Sequence, residues 1–128
     1  MKELIEFSEF LEISNKLEIK VGKITEVEDV PKSSKLIKLS VDFGTETRTV
    51  VTNIKPLINT EDESIASGIR TGLGMSRSLV DKSFAFITNL KPVTMMGIES
   101  TAMIMPGEIE LGKLAVIQST TEPGTKLL

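Results

Sequence analysis

Apolar side chains recur at helical spacing along residues 3–14. Leu4, Phe7 and Leu11 fall on one face with Phe10 beside them, while Glu3, Glu6, Glu9 and Glu12 lie mostly elsewhere. This pattern predicts a short amphipathic helix whose apolar face must dock on this chain or on a second one. From Leu17 the period changes to two. Leu17, Ile19 and Val21 alternate with Glu18 and Lys20, Gly22 interrupts, and Ile24 and Val27 continue a half-buried strand. A glycine inside a strand marks a bulge or sharp bend, which a small closed sheet requires.

Val30-Pro31-Lys32-Ser33-Ser34 reads as a loop. Ile37, Leu39, Val41 and Phe43 then alternate with Lys38, Ser40 and Asp42, the clearest strand in the chain. Residues 42–47 turn it, and Arg48 to Asn53 read as its hairpin partner. Thr60-Glu61-Asp62-Glu63 has the form of a capping box and predicts a short helix start. Gly68, Gly72 and Gly74 lack phosphate-loop spacing and predict a mobile surface loop. Ser83 to Thr88 read as a buried strand, Asn89 to Gly97 as a loop, Thr101 to Met105 as a strand, and Leu114 to Ile117 as a last short strand. About five core strands at this spacing predict an all-β protein built as a small barrel. Periodicity alone does not separate one small barrel from another.

Composition narrows the chemistry. The 128 residues suit one domain with an ordinary hydrophobic core. Cys and His are both absent, which removes thiol chemistry, zinc sites and Ser–His or Cys–His nucleophile systems. The acidic run Glu61-Asp62-Glu63 has no convergent partner and reads as solvated. Nothing singles out a catalytic base, so the chain reads as a binding protein with no enzymatic activity, no metal and no cofactor. The first residues carry no apolar stretch of the kind found in a signal peptide, and no apolar run reaches the roughly 18 residues of a membrane span. A cytoplasmic protein with no membrane partner is the expectation.

The formal charge of −3 is uneven: −4 over residues 1–30, +3 over 31–60 and −2 over 61–128. An acidic total argues against indiscriminate nucleic-acid binding, yet a local basic stretch permits a selective site. Lys35 and Lys38 stand three apart with Lys32 close by, suited as point charges to phosphate oxygens. Lys91 precedes Pro92 on a stiffened loop. Asn89 either closes a turn or hydrogen-bonds a ribose or base edge, and Ser100 offers its hydroxyl to phosphate or to its own backbone. Trp and Tyr are absent and the five Phe fall in strand or helix patterns as core residues, so stacking on splayed bases is poorly supplied.

Seven segments in order over residues 17–105 resemble the tRNA-binding domain family. They are Leu17-Glu18-Ile19-Lys20-Val21-Gly22-Lys23-Ile24, Pro31 to Leu36, Val41-Asp42-Phe43-Gly44, Arg48 to Ile54, Val80-Asp81-Lys82, Asn89-Leu90-Lys91-Pro92, and Gly97 to Met103. That family includes free-standing tRNA-binding proteins, the C-terminal domain of bacterial methionyl-tRNA synthetase, and the CsaA secretion chaperone. The resemblance implies a five-stranded oligonucleotide/oligosaccharide-binding (OB-fold) barrel over residues 17–106. An N-terminal helix (1–16) precedes it and a C-terminal β extension (107–128) follows. It implies that tRNA is recognised by shape and backbone, by a free-standing module or an in-trans partner of an aminoacyl-tRNA synthetase of methionyl type. Matching positions place tRNA contacts at Lys35, Arg48, Asn89, Lys91, Ser100 and Met103, with Lys38 joining Lys35 by its place on the following strand.

The alternative reading is a CsaA-like export chaperone that binds unfolded peptides, for which Met95, Met96, Met103 and Met105 would supply a soft apolar surface. The ending Glu122-Pro123-Gly124-Thr125-Lys126 resembles the tails of dimeric members. Together with the apolar face of residues 4–11 it implies a homodimer.

Overall fold

The computed structural model describes residues 1–53, 79–107, 115–116 and 118–128. The helix start expected at Thr60 and the glycine loop at 68–74 lie outside the described residues. The described chain is mostly β with one helix, α1 (Phe7–Lys16), at its N-terminal end. The helix starts four residues later than its apolar period begins. Glu6 stands at its N-cap with no side-chain cap bond, and residues 3–6 supply none of the short polar side chains that hold a first turn. Its last backbone bond runs from Leu17 N to Ser14 O. No residue of α1 is buried.

The strands are β1 (Ile19–Asp29), β2 (Ile37–Asp42), β3 (Thr47–Thr52), β4 (Ser83–Ile87), β5 (Val93–Met95), β6 (Ile98–Ser100), β7 (Met103–Ile104), β8 (Pro106–Gly107), β9 (Ala115–Val116) and β10 (Gln118–Ser119). The main sheet runs β10-β4-β1-β2-β3, with β7 also on β4. The ladders are antiparallel. Alternation works as the sequence suggests: Ile37, Leu39 and Val41 of β2 are buried while Lys38, Ser40 and Asp42 are half-exposed. Ile24, Leu39, Val41, Val50, Phe86 and Ile104 are fully buried and belong to one core, where Phe43 meets Phe86 edge-on with ring centroids 5.5 Å apart.

β1 is the strand that both halves of the sheet share. Its first half, Ile19 to Lys23, pairs with β4, and Lys23 to Asp29 pair with β2. The register shift falls between Ile24 and Glu26, so the bulge is at Thr25 and not at the expected Gly22. Gly22 answers a different constraint. A Cβ there would lie 2.5 Å from Val41 Cγ1, 2.7 Å from Phe43 Cε1 and 2.9 Å from Phe86 Cδ1. The edge of β1 that β2 leaves uncovered is taken by the chain's own C-terminal tail. Val21 N donates to Thr125 O (2.9 Å), Gly124 N to Val21 O (2.8 Å) and Leu127 N to Ile19 O (2.8 Å). The tail thus protects an edge that would otherwise offer unpaired backbone groups.

The expected closed five-stranded barrel is not what the ladders draw. β3 and β10 end the main path, and no ladder joins β3 to β7. Two bonds from backbone donors span that gap: Thr101 N donates to Thr49 O (3.1 Å) and Val51 N to Ser100 Oγ (2.9 Å). A side-chain hydroxyl stands where a ladder would need a backbone carbonyl, and β7 is only two residues long. The expected loop 89–97 contains half of a hairpin. β5 and β6 pair through a two-residue turn at Met96 (φ 50°) and Gly97 (φ 80°), positive values that match the right-handed twist of the strands.

Gly22→Ala will destabilise the protein by about 1–3 kcal/mol, because an added methyl must displace three packed core side chains. Thermal unfolding followed by circular dichroism reads this directly. A variant that melts with the parent would show that these side chains give way freely.

Candidate nucleic-acid interface

The seven residues singled out in the sequence separate into two groups of three, with Lys38 between them. Arg48, Asn89 and Ser100 engage their polar atoms with their own chain, Arg48 and Ser100 from the interior side and Asn89 at the surface. The Arg48 side chain is 21% exposed and its guanidinium donates to Thr88 O (2.7 Å), Thr101 O (3.2 Å) and Glu46 Oε2 (2.8 Å). It also stands 5.5 Å from the Phe43 ring centroid. One fork of donors therefore ties β3 to the end of β4 and to the segment entering β7. Asn89 accepts from Glu18 N (2.9 Å) and donates to Lys16 O (2.7 Å), which fixes the passage from α1 into β1 against the end of β4. Ser100, 6% exposed, accepts from Val51 N and donates to Ala102 O (3.2 Å). Its hydroxyl is engaged by its own backbone.

Lys38 is intermediate. It sits on β2 opposite Glu28 of β1 in the ladder, and its ammonium lies 3.3 Å from the Glu28 carboxylate. Lys35, Lys91 and Met103 face outward. Ser33 Oγ accepts from the backbone nitrogens of Lys35 (3.2 Å) and Leu36 (3.0 Å), so the loop that presents Lys35 is held by a local serine turn. Among the described residues neither Lys35 nor Lys91 forms an ion pair.

Lys91 and Met103 line a cleft of about 430 Å³, and Ser100 forms part of its wall. Leu36 enters it from the loop after Lys35. Val51, Thr52 and Asn53 come from the end of β3, and Val93 and Met95 from one face of the β5–β6 hairpin. Arg48, Asn89 and Lys38 are not among its lining residues. The cleft itself was not legible in the sequence, because the hairpin that walls it reads as a loop. The register Val93↔Ser100 and Thr94↔Glu99 puts Glu99 on the face away from the cleft, so the acidic side chain does not oppose Lys91 there. Of the four methionines expected to form one soft surface, Met95 and Met103 share the cleft, Met96 is exposed on the hairpin turn, and Met105 is outside the lining. Three of the five Phe are core, but Phe7 and Phe10 are exposed on α1, stacked with centroids 5.9 Å apart.

Two carboxylates are held below the ordinary glutamate value of 4.5. Glu18 is lowered first by the Thr88 hydroxyl, 2.6 Å from its Oε1, against some desolvation, with Lys20 and Arg48 adding attraction. Glu46 is lowered first by its hydrogen bond from Arg48. Among the described residues no cluster of three or more acidic side chains gathers to hold a metal ion, and no helix is long and apolar enough to cross a membrane. A group with a depressed folded pKa contributes stability that is present above its unfolded pKa and is lost as pH falls through the folded one. Stability will therefore hold from neutral pH to about pH 5 and fall below the ordinary glutamate value of 4.5. Urea midpoints measured against pH will show the fall, and Glu46→Gln will make it shallower.

The family model for the tRNA binding domain matches residues 19–64 and 58–126. The methionine–tRNA ligase of Methanoregula boonei is 36% identical over 117 residues, which is 91% of this chain and 15% of the ligase. The chain thus spans about 15% of the length of that curated relative. Among solved structures, a MetRS-related protein from Pyrococcus horikoshii superposes with a TM-score of 0.75 at 33% identity, covering 99% of this chain and 100% of that one. The CsaA chaperone protein from Picrophilus torridus shares the fold, with a TM-score of 0.70 at 21% identity, covering 98% of this chain and 100% of that one.

Proposed function

The chain belongs to the tRNA-binding domain family, and from that premise we propose that it binds tRNA by shape and backbone through the surface that carries Lys35 and Lys91. The observation that carries the reading is the family match through both halves of the chain, together with outward lysines flanking a formed cleft. Lys32 stands in the same loop as Lys35 and adds to the cationic edge. Arg48, Asn89 and Ser100 serve this site as positioning residues: they hold β3, β4 and the β6–β7 link in the arrangement that forms it. The role is binding and not catalysis, in the cytoplasm, free-standing or in trans with a methionyl-type aminoacyl-tRNA synthetase.

We read the sheet as the wall of a five-stranded OB barrel. Three features support this: β1 bends to serve both β2 and β4, β7 lies on β4, and the Thr101–Thr49 bond bridges the remaining seam. A second copy of the chain covers the apolar face of α1, where Phe7 is 71% exposed and Phe10 and Leu11 are also open, together with the exposed Leu4 that precedes the helix. The peptide-binding alternative is favoured by one observation, the methionines at the cleft, whereas the lysines beside it suit a polyanion better.

Lys35→Ala and Lys91→Ala will each weaken binding of unfractionated tRNA without lowering the melting temperature. Two to three lysine–phosphate contacts give a slope of log K against log [salt] of roughly −1.4 to −2.7. A slope near zero would exclude phosphate as the partner. Light scattering will return twice the chain mass at micromolar concentration, and Phe7→Glu with Phe10→Glu will return the single-chain mass; a parent that is already monomeric would remove the second copy.

A further inference from the structure

The cleft beside Lys91 is larger and more apolar than backbone recognition needs. Its volume of about 430 Å³ lies within the usual range of small-ligand pockets. Its walls are Leu36, Val51, Leu90, Val93, Met95 and Met103. Among the described residues the polar side chains at its boundary are few: Thr52, the exposed Asn53 and Lys91, since the Ser100 hydroxyl is already bonded to Val51 N and Ala102 O. We infer that the cleft receives one unstacked nucleobase of the bound RNA, held flat between the Met95 and Met103 side chains with its flanking phosphates on Lys91 and Lys35.

Thioether sulfurs make favourable contacts with aromatic rings, and unbranched methionines adapt to rings of different size. Such a pair substitutes for the Trp or Tyr platform this chain lacks, and the described Phe residues are either in the core or on α1. Walls without directional groups accept any base, while Thr52 and Asn53 can meet a ring edge without fixing its identity. Charge selects the occupant. Among the described residues the ionisable side chain lining the cleft is cationic, Lys35 precedes the lining residue Leu36, and Glu99 lies on the far face of the hairpin. A base carried between two phosphates fits that setting better than an apolar peptide side chain.

The inference rests on the tRNA-binding reading, and the test separates the two. The full chain is titrated with unfractionated tRNA, with a blunt RNA duplex, and with the same duplex carrying one bulged adenosine. The parent will prefer the bulged duplex by about fivefold to tenfold, the range expected of sulfur–ring contacts. Met95→Ala with Met103→Ala will abolish that preference, the two duplexes then binding alike, while Lys91→Ala will weaken binding to both. Met103 is 48% exposed, so Met103→Gln is a second variant that keeps chain length and will reduce the preference even where the double variant fails to fold. If tRNA binds but the parent shows no preference for the bulge, the base pocket is overturned and backbone recognition stands. If none of the three RNAs binds, the tRNA reading itself falls. If the methionine variants lose affinity for an unfolded apolar peptide and keep full affinity for tRNA, the cleft is a peptide site and the inference is wrong.

Discussion

The arrangement depends on how closely the neighbouring strands can approach β1 at Gly22. That strand gives its first half to β4 and its second half to β2, so its middle must pass under both without a side chain of its own. Val41, Phe43 and Phe86 fill the space that a Cβ would occupy. The closeness there sets the Phe43–Phe86 edge contact and brings Phe43 under the Arg48 guanidinium. It also leaves the outer edge of the first half of β1 open for the C-terminal tail. Gly44 and Gly124, both at positive φ, let that tail touch the β2–β3 turn, each standing against the other's backbone with Phe43 O or Pro123 O within 3 Å of the missing Cβ. Core, clamp and tail therefore meet around one glycine.

Polar residues in the recognisable motifs hold the site more than they face a ligand. Arg48 gathers three acceptors from separate segments, and a guanidinium does this because its planar fork offers several donors at fixed angles. Asn89 uses both ends of its amide on the junction of α1 and β1, and Ser100 closes part of the seam that no ladder closes. Removing Ser100 or Arg48 leaves backbone groups of buried residues such as Val51 and Thr88 without that partner, which costs more than the net worth of the bond. In the proposed reading, recognition falls to side chains the fold does not use.

Much of the sheet was legible because alternation is a strong signal when one face is buried: β2, β3 and β4 lie where Ile37–Phe43, Arg48–Asn53 and Ser83–Thr88 placed them. The failures have physical causes. The β5–β6 hairpin packs on one side only and carries no alternating apolar run. Its local signal is the Met96-Gly97 turn, where both residues take positive φ. Gly22 and Thr25 exchanged roles because a sequence shows that a glycine is needed but not whether for bending or for closeness. The cleft joins the ends of three elements distant in sequence, and no local pattern announces it. Serine, asparagine and arginine have the same appearance in a sequence whether they face a ligand or bond to their own chain, so the bonds of Ser100, Asn89 and Arg48 required coordinates.

A chain with net charge −3 is an unpromising partner for a polyanion until its charges are sorted by position. Glu28, Glu46 and Glu18 stand beside Lys38, Arg48 and Lys20, and these pairs cancel locally along the sheet. Their energetic worth as exposed pairs is small, but they remove three cations and three anions from the field that an approaching ligand feels. Among the described residues, the unpaired cations on the loops at the cleft side are Lys32, Lys35 and Lys91, with Ser33 bonding the first loop and Pro92 following Lys91 in the second. A few fixed cations on an otherwise acidic body bind weakly to any single phosphate run and repel it elsewhere. In the proposed reading they favour a folded RNA whose surface meets the lysines together and turns its remaining phosphates away. In that reading the acidic balance is part of the selectivity, since it penalises partners that match the charge of the site but not its geometry.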